Sequence, residues 1–360
     1  MRKLICLILA GALLLPCAGA VSAQSAVVLD GLTGECLYAK NADAQLPMAS
    51  TTKIMTAITA IEMGDLDRVY PVKKAYTLVE GSSMYLHEGE EITLRDTLYG
   101  LMLMSGNDAA LAVAGECGGE EVFVAAMNEK ARELNLPHTH FDNPNGLDGE
   151  NHHTTALELA RLTAYAMQNE TFREIVSTER YEAGGRTMVN HNKLLRMYGD
   201  AVGVKTGFTK RAGRCLVSAA ERDGRRLIAV TLNAPDDWND HIEMLDTAFA
   251  QYAPCTLAEA GESLCTVPVQ SGWLREVNLT ADETVTLSLT GDERDRLQAV
   301  RRGRRFLYAP VEAGASCGEL VWLLDGQEVA RVGLTVAESS AQLAETPSFW
   351  TRLLGWLPFI

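Results

Sequence analysis

The chain is 360 residues long and carries 47 acidic against 32 basic side chains, a formal charge of -15. A surface of that sign offers no electrostatic footprint to a phosphate backbone, which excludes nucleic acid as a partner. The length accommodates one large domain and one smaller one.

The N-terminus reads Met1-Arg2-Lys3, then an almost wholly apolar run from Leu4 to Leu15, then small residues ending in Val21-Ser22-Ala23. This three-part layout predicts a secretory signal peptide over 1–23, and therefore a protein delivered across the cytoplasmic membrane. The apolar run is short for a retained membrane helix. Pro16 stands where lipid attachment at Cys17 would need a small residue. An oxidising exterior permits disulfides, but the cysteines beyond the leader form no C-x-x-C pair. Cys36, Cys117 and Cys215 are expected as buried free thiols. Cys255 and Cys265 flank a turn centred on Gly261, across which they would face each other.

The mature chain starts near Gln24. Ser25 to Asp30 and Glu35 to Tyr38 read as strands around a Gly31–Gly34 turn. From Ser50, the residues Ile54, Ala57, Ile58 and Ile61 recur at helical spacing. A second helical pattern through Leu94, Leu98, Leu101 and Met102 breaks at Ser105-Gly106-Asn107, and a third starts at Ala109. Asp142 to Glu150 is dense in turn residues and reads as loop. A helix resumes from Thr155 to Met167. Val202–Phe208, Cys215–Ala219 and Leu227–Leu232 are short and β-rich, and Ile242, Leu245, Phe249 and Tyr252 mark a last amphipathic helix. Strands, helices, strands and a helix predict one mixed sheet whose first and last strands meet, over 24–253.

Beyond Pro254 the pattern changes to a small all-β domain, 254–337. Its strands are expected at Val267–Val269, Val277–Leu279, Thr284–Leu289, Phe306–Tyr308, Leu320–Leu324 and Ala330–Leu334, with the Arg301–Arg305 cluster in a solvated turn. A linker and terminal helix fill 338–360. Pro347 suits a helix start, and Phe349, Trp350, Leu353, Leu354, Trp356, Leu357 and Ile360 share one face. At roughly 20 Å the helix is too short to span a bilayer, but its two tryptophans suit the membrane surface.

Three short motifs carry chemistry. Ser50-Thr51-Thr52-Lys53 sets a hydroxyl and an amine three residues apart on one helical face. Serine is a poor nucleophile without a neighbouring base, and lysine serves as that base when burial or a nearby cation keeps part of it neutral. On its own the pattern means little, because average composition yields it about once in a chain this long. Ser105-Gly106-Asn107 interrupts a helical region, so that two polar side chains can be presented into a cleft. Lys205-Thr206-Gly207 lies in a strand, where a cation, a hydroxyl and a bare backbone suit an anionic ligand lying along a sheet edge. Together and in this order they form the S-x-x-K, S-x-N, K-T-G set of penicillin-interacting serine enzymes.

The stretches PMASTTKIMTA, LMSGNDAALAVA, FDNPNGLDGENHHTTALELA, NHNKLL and GVKTGFTKRAGRCLVSAA closely resemble the D-alanyl-D-alanine carboxypeptidase family, over roughly residues 25–253. The resemblance implies an α+β, β-lactamase-like catalytic domain, a small all-β sandwich and an amphipathic membrane-anchoring helix. It implies that Ser50 attacks the penultimate D-alanine of a peptidoglycan stem peptide while Lys53 takes its proton. Ser105 would relay a proton to the leaving amine, and Asn107 would bind substrate backbone or orient Lys53. Lys205 and Thr206 would hold the terminal carboxylate, Gly207 would border the bound substrate, and the backbone N–H groups of Ser50 and Phe208 would form the oxyanion hole. β-Lactams are expected as ligands, and no cofactor is required. Gly106 stands where some relatives carry Asp.

Two other functions fit parts of the pattern. A serine β-lactamase would need a second base, and no E-x-x-L-N motif lies between Phe141 and Ser177. A penicillin sensor or wall-tethered scaffold would acylate without turnover. His138, His140, His152 and His153 cluster in a loop but form no H-E-x-x-H pair, so no metal is expected there. His191 is assigned a structural hydrogen-bonding role.

Overall fold

A computed structural model describes residues 21–343, so most of the predicted leader and the whole of the predicted terminal helix lie outside the described residues. Strand β1 (Ser25–Asp30) is buried along its whole length because it has a neighbour on each edge. On one side lies β2 (Cys36–Lys40), on the other β5 (Arg225–Leu232). Beyond β5 come β4 (Gly213–Arg222) and then β3 (Ala201–Thr209), giving the order β2-β1-β5-β4-β3. The first and last strands of the domain therefore meet. Every pairing is antiparallel, not mixed as the sequence suggested, because β3, β4 and β5 are joined by tight hairpin turns.

Period-two alternation gives this sheet two buried faces. Val217, Ala219, Ile228 and Val230 point into the main core. On the opposite face His241 bonds to Ser218 and Thr231, which lays its helix, Asp237–Phe249, across β4 and β5. The main core is organised around α1 (Lys53–Met63), which is buried over its first eight residues and packed against α2 (Leu94–Leu103), α3 (Asn107–Glu116), α4 (Glu120–Glu133), α5 (Ala156–Ala166) and α6 (Glu170–Ser177). A helix apolar all round belongs in such a centre. The helix Asp237–Phe249 is α7. Ion pairing secures the sheet: Arg225 reaches Asp30, and both side chains are fully buried.

Two details of the sequence reading change. Ser50 does not open the α-helix but sits in a 3-10 turn, Ala49–Thr52, that precedes it. Cys36 is exposed rather than buried, because β2 is an edge strand; Cys117 is half-buried and Cys215 buried.

The second unit begins at Tyr252. Its six-stranded sheet runs 298–302, 316–324, 327–336, 276–281, 263–270, 307–308, and a two-stranded sheet joins 253–258 to 285–289. Ala258 of the small sheet packs with Ala281, Trp322 and Val332 of the large one, so the two sheets face each other across a small core. Cys255 lies opposite Leu287 and Cys265 opposite Leu279, in different sheets, so they do not face each other across a hairpin. Arg301 and Arg302 belong to an edge strand instead of a turn, and Arg302 pairs with Glu328 at 2.8 Å. No apolar alternation marks that strand, since an exposed edge needs none. No helix among the described residues is long and apolar enough to cross a membrane.

Candidate active site

The turn that carries Ser50 is held from several sides. Ala49 adopts a left-handed φ of 49°, which a non-glycine residue holds only when its surroundings fix it. Thr51 and Thr52 donate their hydroxyls to the carbonyls of Met48 (2.6 Å) and Ala49 (2.8 Å). His152 contacts the Thr52 hydroxyl at 2.7 Å, and its other nitrogen accepts from the Asp142 amide at 3.0 Å. Burial pushes this imidazole down to about 4, so it is neutral, and the accepting Nδ1 leaves Nε2–H as the donor to Thr52. From below, Gly146 presses so closely that a methyl group there would sit 2.1 Å from the Ala49 carbonyl oxygen.

Lys53, the first residue of α1, is wholly buried beneath Ser50. Its Nζ lies 3.0 Å from Ser50 Oγ and 2.7 Å from Asn107 Oδ1, and it also donates to the carbonyl of Asn145. Burial depresses its pKa well below the ordinary lysine range; Lys205 adds to the effect and Asp108 opposes it. A neutral amine has two N–H bonds and one lone pair. Asn107 Oδ1 and the Asn145 carbonyl can only accept, so they take the two N–H bonds. In its neutral form the amine would therefore turn its lone pair toward Ser50 Oγ.

Asn107 is committed at both ends, because its Nδ2 donates to the Glu80 carbonyl at 2.7 Å. Its place is therefore beside Lys53. Asp108 pins the strap beyond it, accepting from Ser83 Oγ, Met84 N and Leu86 N. This strap brings Ser82 to the cleft wall. Ser105, with a left-handed φ of 59°, sits in the break between α2 and α3 and lines the same cleft. The hydrogen bonds of Lys53 do not include its hydroxyl.

The opposite wall is β3, the terminal strand of the sheet, with an edge free to pair with an extended ligand. Gly207 allows β3 to approach the nucleophile turn: a methyl group there would lie 3.0 Å from Ser50 N and 3.1 Å from Thr51 N. The Phe208 side chain is exposed, and its backbone lies in the same stretch. Lys205 is buried, donates to the Thr206 carbonyl at 2.8 Å, and is pushed down to about 7 by loss of water. Thr206, Gly207 and Phe208 all border the cleft of about 290 Å³ that also takes in Ser50 and Ser105.

Sequence reasoning missed the outer wall. Arg214 on β4, opposite Phe208, reaches Asp237 at the start of α7 with Nε at 3.0 Å and Nη2 at 2.6 Å, and lies over the Trp238 ring. All three line the cleft, as does His191. Asp237 is the one carboxylate among the described residues lining it, and Arg214 occupies it. Sequence reasoning also missed the Asn145 carbonyl. Of the four clustered histidines, His140 and His153 pair through their backbones, His138 contacts Gln45 and His152 contacts Thr52, and no group of three or more potential metal ligands occurs among the described residues.

The profile of the D-alanyl-D-alanine carboxypeptidase family matches residues 15–236, more than half of the chain. The chain belongs to this family. Residues 252–342 match the C-terminal domain of penicillin-binding protein 5. Along nearly its full length the chain is similar to the D-alanyl-D-alanine carboxypeptidase DacF of Bacillus subtilis, 33% identical over 94% of this chain and 90% of the relative. Among solved structures it resembles penicillin-binding protein 5 from Haemophilus influenzae, with a TM-score of 0.63 at 27% identity, covering 90% of this chain and 99% of that one. It also resembles the Streptomyces K15 DD-transpeptidase, with a TM-score of 0.62 at 34% identity, over 64% of this chain and 98% of that one. Of the motif residues of this family member, Ser50, Ser105, Thr206 and Gly207 line one cleft, with Lys53, Asn107 and Lys205 buried beside them.

Proposed function

We propose that this member of the carboxypeptidase family is a serine hydrolase that removes the terminal D-alanine from peptidoglycan stem peptides through an acyl-enzyme on Ser50. The observation that carries the proposal is the buried Lys53 Nζ, held 3.0 Å from Ser50 Oγ with Asn107 Oδ1 and the Asn145 carbonyl as its other partners. The peptide lies extended along the β3 edge, with its terminal carboxylate toward Lys205, Thr206 and Arg214. Ser50 Oγ attacks the carbonyl of the penultimate D-alanine as its proton passes to Lys53 Nζ. The oxyanion forms against the backbone N–H groups of Ser50 and Phe208, a kind of donor worth about 3–4 kcal/mol. Collapse breaks the peptide bond, and the amine of the departing D-alanine takes a proton from Lys53 by way of Ser105. Water then attacks the ester, gives a proton back through Lys53, and frees Ser50.

β-Lactams enter the same cleft and acylate the same hydroxyl. The apolar leader supports export, and the apolar face from Phe349 to Ile360 supports residence at the outer surface of the cytoplasmic membrane, facing the wall. The test is release of D-alanine from a synthetic peptide ending in D-Ala-D-Ala, compared with Ser50→Ala and with EDTA present. Release that requires Ser50 and ignores EDTA supports the proposal. Penicillin labelling of Ser50 without peptide turnover would contradict it and favour a sensor or scaffold.

A further inference from the structure

Two stretches near the end of the leader satisfy the small-residue rule for signal peptidase: Ala18-Gly19-Ala20 and Val21-Ser22-Ala23. The structure distinguishes them by what the folded domain uses. Val21, Ser22 and Ala23 are built into it. The Ser22 amide donates to Asp240 Oδ1 at 2.8 Å and the Ser22 hydroxyl to Asp240 Oδ2 at 2.6 Å. The same hydroxyl accepts from the Asp236 amide at 3.0 Å. Lys40 Nζ donates to the Val21 carbonyl at 2.6 Å, and Val21 and Ala23 are 4% and 1% exposed.

Asp240 is itself buried, and among the described residues Ser22 alone donates to its two carboxylate oxygens. A cut after Ala23 would strip both donors from a buried carboxylate, which is among the costlier losses a fold can suffer. The loss would fall on the first turn of α7, at the position where Asp237 holds Arg214 and Trp238 lines the cleft. A cut after Ala20 keeps the whole clip.

We propose that the leader is removed between Ala20 and Val21, and that Val21-Ser22-Ala23 remains as a clip holding the start of α7 against the sheet. The segment first read as the end of the leader is then the first structural piece of the mature enzyme. This inference rests on the export proposed above.

The test uses the full chain with its own leader, secreted from a bacterial host, with the N-terminus of the exported product read by intact mass and N-terminal sequencing. The expected product begins at Val21. Ala20→Leu should block or displace the cut, because it occupies the residue directly before it. If the cut instead follows Ala23, position 20 lies outside the small-residue pair, Ala20→Leu changes nothing, and the product begins at Gln24; that result overturns the inference. A chain retained uncut in the cytoplasm contradicts the export reading, which fractionation distinguishes from a cut at the wrong bond. As a second measurement, Ser22→Ala should lower the melting temperature and raise KM for the peptide. An unchanged KM would sink the claim that the clip positions the cleft wall.

Discussion

The inner and outer walls of the cleft are built on opposite plans. Around Ser50 and Lys53 the side chains are buried and nearly every polar atom has a fixed partner: Asn107 bonds at both ends, both threonines bond to backbone, and His152 is neutral. On the outer wall, Arg214, Trp238 and Phe208 meet solvent, and the Arg214 side chain is 43% exposed. The difference separates chemistry from recognition. A base needs low dielectric and no freedom to turn away, whereas the exposed Arg214 keeps its charge near water for the incoming carboxylate, which it shares with the buried Lys205.

This contrast predicts a graded set of effects. Lys53→Met should be the most severe, lowering the acylation rate by about 10²–10⁴, the range for loss of a positioned base; stopped-flow acylation by a chromogenic β-lactam measures it. Gly207→Ala comes next. Its methyl group would crowd Ser50 N and Thr51 N, so kcat should fall about 10- to 100-fold, with little change in melting temperature. Arg214→Gln should raise KM about tenfold, equivalent to ~1.4 kcal/mol, while leaving kcat almost untouched. A large loss of kcat there would erase the distinction between the walls.

The smallest effect is in pH. With Lys205 pushed down to about 7, it is charged below that pH and progressively neutral above it. Raising the pH should therefore raise KM for a carboxylate-terminated peptide, and kcat should hold because higher pH only increases the neutral fraction of Lys53. A KM flat from pH 6 to pH 9 would show that Arg214 alone captures the carboxylate. Protein stability has the opposite trend to affinity. The unfolded chain binds the Lys205 proton more tightly, so this residue destabilises the fold most below about pH 7 and less as pH rises toward the ordinary lysine value.

What could be read from the sequence follows the same division. Ser50 to Lys53, Ser105 to Asn107 and Lys205 to Gly207 are each continuous, so each announced itself as a triplet or quartet at a recognisable break in periodicity. That β1 and β5 meet followed from the order of strands and helices, but their antiparallel sense did not. What stayed hidden was assembled from distant or featureless parts. The Asn145 acceptor is a backbone carbonyl, and any residue has one; only the density of turn residues in that loop hinted at it. Arg214 and Asp237 come from a strand and a helix separated by β5, and nothing in either segment alone shows that they pair. The edge strand at Gln298–Arg302 lacks an apolar face to mark it. The positions of Cys255 and Cys265 depended on sheet membership, which a turn centred on Gly261 does not determine.

The central claim is that Lys53, held by burial well below the ordinary lysine range, serves as the base for Ser50. The most direct test is an NMR titration of the lysine side chains, with Lys53 assigned by comparison with Lys53→Met. The account predicts a midpoint for Lys53 well below that of the exposed lysines, and a shift when Ser50 is acylated. A Lys53 that titrates together with the exposed lysines, unmoved by acylation, would contradict it.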